Sequence, residues 1–80
     1  MKQMDECLER AFAGKKPLAK KWKSIIEDGV LYLYHYHHLV LVYDLEREIT
    51  YHQWYEKPTD KRGLDAAKEW LLENKGLKVA

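Results

Sequence analysis

Residues 30–43 read VLYLYHYHHLVLVY, and this stretch decides the fold of the chain. β-branched and aromatic residues occur at both odd and even positions of the stretch. This pattern favours strands over a helix with one solvent-exposed face. We predict two strands, Val30–Tyr36 and Leu39–Asp44, joined by a two-residue loop near His37. The segment Glu48–Glu56 alternates in polarity and is predicted to form a third antiparallel strand.

Helical patterns lie on both sides of these strands. Apolar residues recur at spacings of three and four from Lys2 to Gly14, which indicates an amphipathic helix. A second stripe predicts a short helix over Pro17–Glu27; its members are Leu18, Trp22, Ile25 and Ile26. The β-branched stretch Ser24–Ile26 could equally belong to the sheet. A final helix is expected from Thr59 or Asp60 to Asn74, before Gly76. The chain is therefore predicted to be a single small globular α+β domain over residues 1–80. Its expected element order is α-α-β-β-β-α, with the helices on one face of a three-stranded antiparallel β-meander.

Length and composition restrict the class of protein. A chain of 80 residues has a marginal hydrophobic core, so oligomerisation is a natural supplement to its stability. The single cysteine, Cys7, cannot form an intramolecular disulfide, and no apolar run is long enough to span a membrane. We therefore expect a cytoplasmic protein without a membrane partner. Lys and Glu number 11 and 8 while Asn and Gln total three, a bias typical of proteins from hot environments.

The two faces of the predicted sheet differ in composition. One face gathers Tyr32, Tyr34, Leu39, Leu41, Tyr43, Ile49 and Tyr51, and the other gathers Leu31, Leu33, His35, Val40, Val42, Thr50, His52 and Trp54. A slip of one residue in either hairpin would exchange these sets. We expect the helices to cover the aliphatic set. The tyrosine face would then bind a second copy of the chain or another protein, or it would simply be exposed to solvent. The residues predicted to form the interface are Tyr32, Tyr34, Leu41, Tyr43 and Tyr51.

Charge is segregated along the chain, although the formal net charge is only +1. Residues 15–23 contain Trp22 and five lysines, which are Lys15, Lys16, Lys20, Lys21 and Lys23. Lysines interleaved with aromatic residues are typical of single-stranded nucleic-acid binding. Residues 24–56 hold six acidic residues and one arginine, and acids around the tyrosines would repel phosphates. Protein interaction is therefore the leading hypothesis, and nucleic-acid binding is the alternative.

The four histidines lie in or beside the predicted sheet. His35 and His37 have the H-x-H spacing of zinc ligands on one face of a strand, and His52 could lie across the middle strand from His35. The remaining ligands are not fixed by the sequence, so a zinc site is a second alternative and otherwise no cofactor is expected. No nucleophile motif such as GxSxG and no glycine-rich phosphate loop is present. We therefore predict that the protein is not an enzyme.

Overall fold

The computed structural model describes every residue from Met1 to Ala80 and contains two helices and four strands. The elements are α1 Lys2–Phe12, β1 Trp22–Glu27, β2 Val30–His35, β3 His38–Asp44, β4 Ile49–Gln53 and α2 Pro58–Lys75. The strands form one antiparallel meander in the order β1-β2-β3-β4. The predicted α+β class is confirmed. Neither helix combines the length and the apolar character that crossing a membrane would require.

The predicted helix over Pro17–Glu27 is wrong, because this region supplies the strand β1. Six residue pairs join β1 to β2, from Trp22 opposite His35 to Glu27 opposite Val30. Asp28 and Gly29 connect the two strands with φ angles of 52° and 76°. Such left-handed values at both central residues define a type I′ hairpin turn, for which Asp-Gly is a preferred sequence. The sheet therefore has four strands instead of three, and the element order is α-β-β-β-β-α.

A β-bulge at Val40 changes which residues of β3 face the helices. A two-residue loop near His37 is as predicted, although it comprises Tyr36 and His37 because β2 ends one residue earlier than expected. Continuing the register of this loop would place Leu33 opposite Val40. Instead Leu33 lies opposite Leu41, and the pairing is shifted by one residue from there to the end of the strand. Leu41 and Tyr43 are consequently only 0% and 1% exposed. Their prediction as interface residues is wrong because the extra residue turns them into the core.

The hydrophobic core lies between the sheet and the two helices. α1 contributes Met4 and Leu8, while α2 contributes Leu64, Ala67, Trp70 and Leu71; the sheet supplies Trp22, Leu31, Leu33, Val40, Leu41 and Tyr43. Val79, beyond α2, is also buried in this cluster. Burying each large apolar side chain stabilises the fold by about 1.5 to 3 kcal/mol. All of these residues lie on one side of the sheet, so its other side contributes nothing to the core.

Candidate functional site

One face of the sheet is not covered by any other part of the chain. We call it the open face; it comprises Lys23, Ile25, Tyr32, Tyr34, Leu39, Val42, Ile49, Tyr51 and His52. Strand pairing places Tyr32 beside Val42 and Tyr34 beside Leu39 on this face. The buried residues of both helices belong to the core on the opposite side. Of the predicted interface residues, Tyr32, Tyr34 and Tyr51 therefore lie on the open face.

A polar network fixes Tyr51 at one end of the open face. Its hydroxyl donates a hydrogen bond to Asp44 Oδ2 at 2.7 Å. Asp44 Oδ1 accepts the backbone N–H groups of Glu46 and Arg47 at 3.0 and 2.9 Å. The Arg47 N–H and then the Tyr51 hydroxyl hold the pKa of Asp44 below its ordinary value, because both stabilise the carboxylate. The ring of Tyr51 is thereby held in place while 51% of the residue is exposed.

Acidic residues gather at one end of the strands. The connections β1–β2 and β3–β4 meet there, where the Leu45 N–H donates to the Gly29 carbonyl at 2.9 Å. We call this the acidic end; its acidic residues are Glu27, Asp28, Asp44, Glu46 and Glu48, and Arg47 lies among them in the β3–β4 connection. The opposite end, here called the basic end, holds Lys20, Lys21 and Lys23 with His35, His37 and His38. Glu56 is the one acid of residues 24–56 that lies outside the acidic end. The sequence had led us to expect these acids around the tyrosines. In the structure, all of them except Glu56 gather at one end of the strands instead.

The predicted nucleic-acid segment does not form a single patch. Lys15 and Lys16 line a depression beside Ile25, Ile26 and Glu27, at the acidic end of β1. Lys20, Lys21 and Lys23 lie towards the other end of that strand, and Lys20 forms an ion pair with Glu6 at 3.1 Å. Trp22 is only 5% exposed, so it is not available to stack on a base.

His35, His37 and His52 are not brought together. β2 ends at His35 and His37 lies in the following turn, so the H-x-H spacing does not place both rings on one strand. His52 lies on the open face, with Nε2 3.0 Å from the Leu39 carbonyl oxygen, whereas His35 lies on the helix-covered face. No group of three or more His, Cys, Asp or Glu side chains is arranged to hold a metal ion. The three predicted zinc ligands therefore do not share one site in this structure.

A buried pair between His35 and Asp60 links β2 to α2, and no pattern of residues indicated it. His35 Nδ1 donates to Asp60 Oδ1 at 2.6 Å. Asp60 Oδ2 accepts the backbone N–H groups of Lys57 and Glu56 at 2.9 and 3.2 Å. The hydrogen bond from His35, followed by these N–H groups, lowers the pKa of Asp60 to about 2. Trp22 stacks on the imidazole with ring centroids 4.1 Å apart, so the orientation of His35 is fixed on two sides.

Two side chains that could act as nucleophiles are withdrawn from solvent, since Cys7 is half-buried and Ser24 is buried. Burial, assisted by the charge of Glu6, raises the pKa of the Cys7 thiol to about 11, so the thiol is protonated at neutral pH. Ser24 Oγ is sealed inside the fold without a hydrogen-bond partner. No protein-family model, curated protein or solved structure matches the chain. The open face and the surroundings of His35 are therefore the two features from which a function can be inferred.

Proposed function

We propose that the protein is a small interaction module that self-associates through the open face. The observation that supports this function is an uncovered sheet face carrying tyrosines and aliphatic side chains on all four strands. Val42, on the inner strand β3, is only 9% exposed because neighbouring side chains flank it. Tyrosine offers a large apolar ring and a hydroxyl that accepts either water or a partner, which is why it is enriched at interfaces.

The distribution of charge favours a second copy of the chain as the partner. In a two-fold dimer the same surface patch is used by both subunits. If the axis runs across the strands within the interface, the strand directions of the two copies are opposed. The basic end of one copy then lies over the acidic end of the other, and Lys23 approaches partner carboxylates. An axis parallel to the strands would instead place like charges together.

The small size of the open face is typical of a weak complex. Four strands about 4.8 Å apart, each about six residues long at about 3.4 Å per residue, cover roughly 400 Å². A standard interface buries about 800 Å² on each partner, and smaller ones belong to weak, transient complexes. We therefore expect a dissociation constant on the order of 10 to 100 μM for the dimer.

Sedimentation of matched variants tests this proposal. Tyr34→Lys places a charge in the open face, whereas Tyr55→Lys makes the same change at a residue that is 51% exposed outside that face. Wild type and Tyr55→Lys should show a concentration-dependent dimer between about 10 and 500 μM. The dimer dissociation constant of Tyr34→Lys should be at least about tenfold larger. Equal association by the two variants, with both folded by circular dichroism, would show that the open face is not the interface.

Single-stranded nucleic-acid binding is a second candidate, and the separation of charge supports it. Tyr36 is 54% exposed at the basic end, near Lys21, whose carbonyl accepts its N–H at 2.7 Å. A phosphate backbone at this end would not meet the acidic end of the strands. Fluorescence anisotropy with single-stranded DNA and RNA at low salt measures the affinity. Lys21→Gln should weaken binding and Lys15→Gln should not, while a flat titration for wild type would remove this candidate.

A further inference from the structure

Strand β1 carries two opposite charges that have no partner within the chain. Lys23 and Glu27 are both exposed, and neither forms an ion pair with another residue. The strand pairs with β2 without a bulge, so its side chains alternate regularly between the two sides of the sheet. Trp22 and Ser24 are buried on the helix-covered side. Lys23 and Glu27 therefore lie on the other side, with Ile25 midway between them.

A row of residues, one from each strand, crosses the middle of the open face. Ile25 lies opposite Tyr32, and Tyr32 lies opposite Val42. His52 also lies opposite Val42 and ends the row on β4. We call these four residues the central row. Its first three members offer a continuous apolar surface that a partner can cover, because directly opposed side chains on neighbouring strands are in contact.

The central row fits a two-fold axis that runs across the strands within the interface. Such an axis reverses the direction of every strand, and each residue on the axis faces its own copy. A residue two positions before the axis then faces the residue two positions after it. With the axis over Ile25, Lys23 of each subunit lies opposite Glu27 of the other. An axis over Lys23 or over Glu27 would instead bring that residue against its own copy, so like charges would meet.

The dimensions of packed sheets allow these contacts. Lys23 and Glu27 are four residues apart in an extended strand, so each is about 7 Å along the strand from Ile25. Two sheets packed face to face lie about 10 Å apart, a gap that a lysine and a glutamate side chain bridge when they extend towards each other. β1 is an edge strand, so both ion pairs would lie at the rim of the interface, where charged residues are usual.

Neighbouring charges do not occupy these two residues. Lys15 and Lys16 border the same depression as Glu27 but form no ion pair with it. Asp44 lies on the open side of β3, but its carboxylate accepts hydrogen bonds from the Tyr51 hydroxyl and from two backbone N–H groups. Its charge is therefore compensated within the fold, and Asp44 needs no partner from another subunit.

We propose that Lys23 and Glu27 select a second copy of this chain as the partner of the open face, through two reciprocal ion pairs related by a two-fold axis over the central row. The inference rests on the proposed self-association and adds its register. Exposed ion pairs contribute little affinity, but they disfavour arrangements in which like charges meet. A uniformly acidic or basic partner would satisfy only one of the two residues, whereas a second copy satisfies both.

Charge exchange between two variants tests this pairing. Lys23→Glu gives each copy two negative charges at these positions, and Glu27→Lys gives each copy two positive charges. The dissociation constant of either homodimer should be about tenfold larger than that of wild type, because like charges meet at two places. In an equimolar mixture of the variants, opposite charges meet again, so the mixed dimer should have a dissociation constant within about twofold of the wild-type value. Sedimentation equilibrium of each variant and of the mixture measures these constants.

Two variants on the helices provide the matched control. Lys2→Glu in α1 and Glu73→Lys in α2 change exposed residues on the side of the sheet away from the open face. Each control chain has the same net charge as its counterpart from β1. The control homodimers and their mixture should all have dissociation constants near the wild-type value. If the control homodimers weaken and their mixture recovers to the same extent as the β1 variants, net charge alone explains the result and the proposal is overturned.

Failure of this register can be distinguished from failure of self-association. Suppose that wild type dimerises and that Tyr34→Lys prevents it. If the β1 variants then leave the dissociation constant unchanged, or if their mixture does not recover, the open face is the interface but the proposed ion pairs are wrong. Wild-type protein that stays monomeric up to about 1 mM would overturn both proposals. Circular dichroism of each variant establishes that it is folded, and the double variant Lys23→Glu/Glu27→Lys should dimerise as wild type does.

Discussion

Replacing Gly63 with alanine should destabilise this protein, although the same change within most helices is stabilising. Alanine is favoured over glycine in a helix by about 1 kcal/mol. A Cβ at Gly63 would lie 1.9 Å from Cζ2 and 2.2 Å from Cη2 of Trp22. Carbon atoms normally approach to about 3.5 to 4.0 Å. The Trp22 ring is also stacked on His35 at 4.1 Å, so moving it away disturbs the pair with Asp60.

The magnitude follows from these opposing effects. Overpacking a core costs about 1 to 3 kcal/mol, and a clash with a rigid ring belongs at the upper end of that range. Subtracting the helix preference leaves a net loss of about 2 kcal/mol in the free energy of unfolding. For a domain of this size, the melting temperature should fall by about 8 to 16 °C.

Thermal unfolding monitored by circular dichroism measures this change. Glu69 is exposed in the same helix and provides the control: Glu69→Ala should exceed Glu69→Gly in stability by about 1 kcal/mol. In a Trp22→Leu background the ring is absent, so Gly63→Ala should become stabilising if that variant folds. An unchanged or higher melting temperature for Gly63→Ala alone would refute the packing of Trp22 against α2.

Three further outcomes are expected. The lowered pKa of Asp60 means that its carboxylate stabilises the fold fully above pH 3.8 and loses this effect as the pH falls towards about 2. The melting temperature of Asp60→Asn should therefore vary less over this pH range than that of wild type, while exposed Asp65→Asn should behave as wild type. Because the pKa of Cys7 is raised to about 11, a thiol reagent at pH 8 should modify it at least about tenfold more slowly in the folded than in the urea-unfolded protein; equal rates would contradict this. Gly29→Ala should lower the free energy of unfolding in urea by about 1 to 2 kcal/mol through its φ of 76°, since an added Cβ meets Glu46 at an ordinary 3.5 Å; an unchanged value would refute the type I′ turn.

The sequence predicted the strands with strong β-propensity and both terminal helices, but it favoured a helix where β1 lies and left a strand open only for Ser24–Ile26. The spacing of Trp22, Ile25 and Ile26 fits one face of a helix, and this local pattern was misleading. In β1, Trp22 and Ser24 are buried and Lys23 between them is exposed. This alternation depends on the pairing of β1 with β2, so the spacing of apolar residues does not reveal it. The informative signal was Asp28-Gly29, which is typical of a two-residue hairpin with strands on both sides.

Strand register could not be derived from the pattern of residues. β3 is apolar at every position from Leu39 to Tyr43, so alternation gives no indication of which residues face the helices. The bulge at Val40 shifts Leu41 and Tyr43 into the core and places Val42 on the open face. A tyrosine-bearing free face was therefore predicted correctly in kind, with two of its five proposed contact residues in the wrong place.

The His35–Asp60 pair depends on tertiary structure. The two residues are 25 positions apart, and their contact requires β2 to end beside the beginning of α2. Without that information, the histidines were grouped with one another by their spacing. The unusual residue in retrospect is Gly63 within α2, since a glycine inside a helix is unfavourable unless a close approach requires it.

Self-association through the open face is tested most directly by the concentration dependence of the backbone amide spectrum. We predict that between about 20 μM and 1 mM the amide shifts of Tyr32, Tyr34 and Val42 move together along one binding curve, a range that brackets the expected dissociation constant. Amides of α1 and α2 should remain unchanged. Spectra that do not change with concentration, or changes confined to the helices, would contradict a dimer formed by this face.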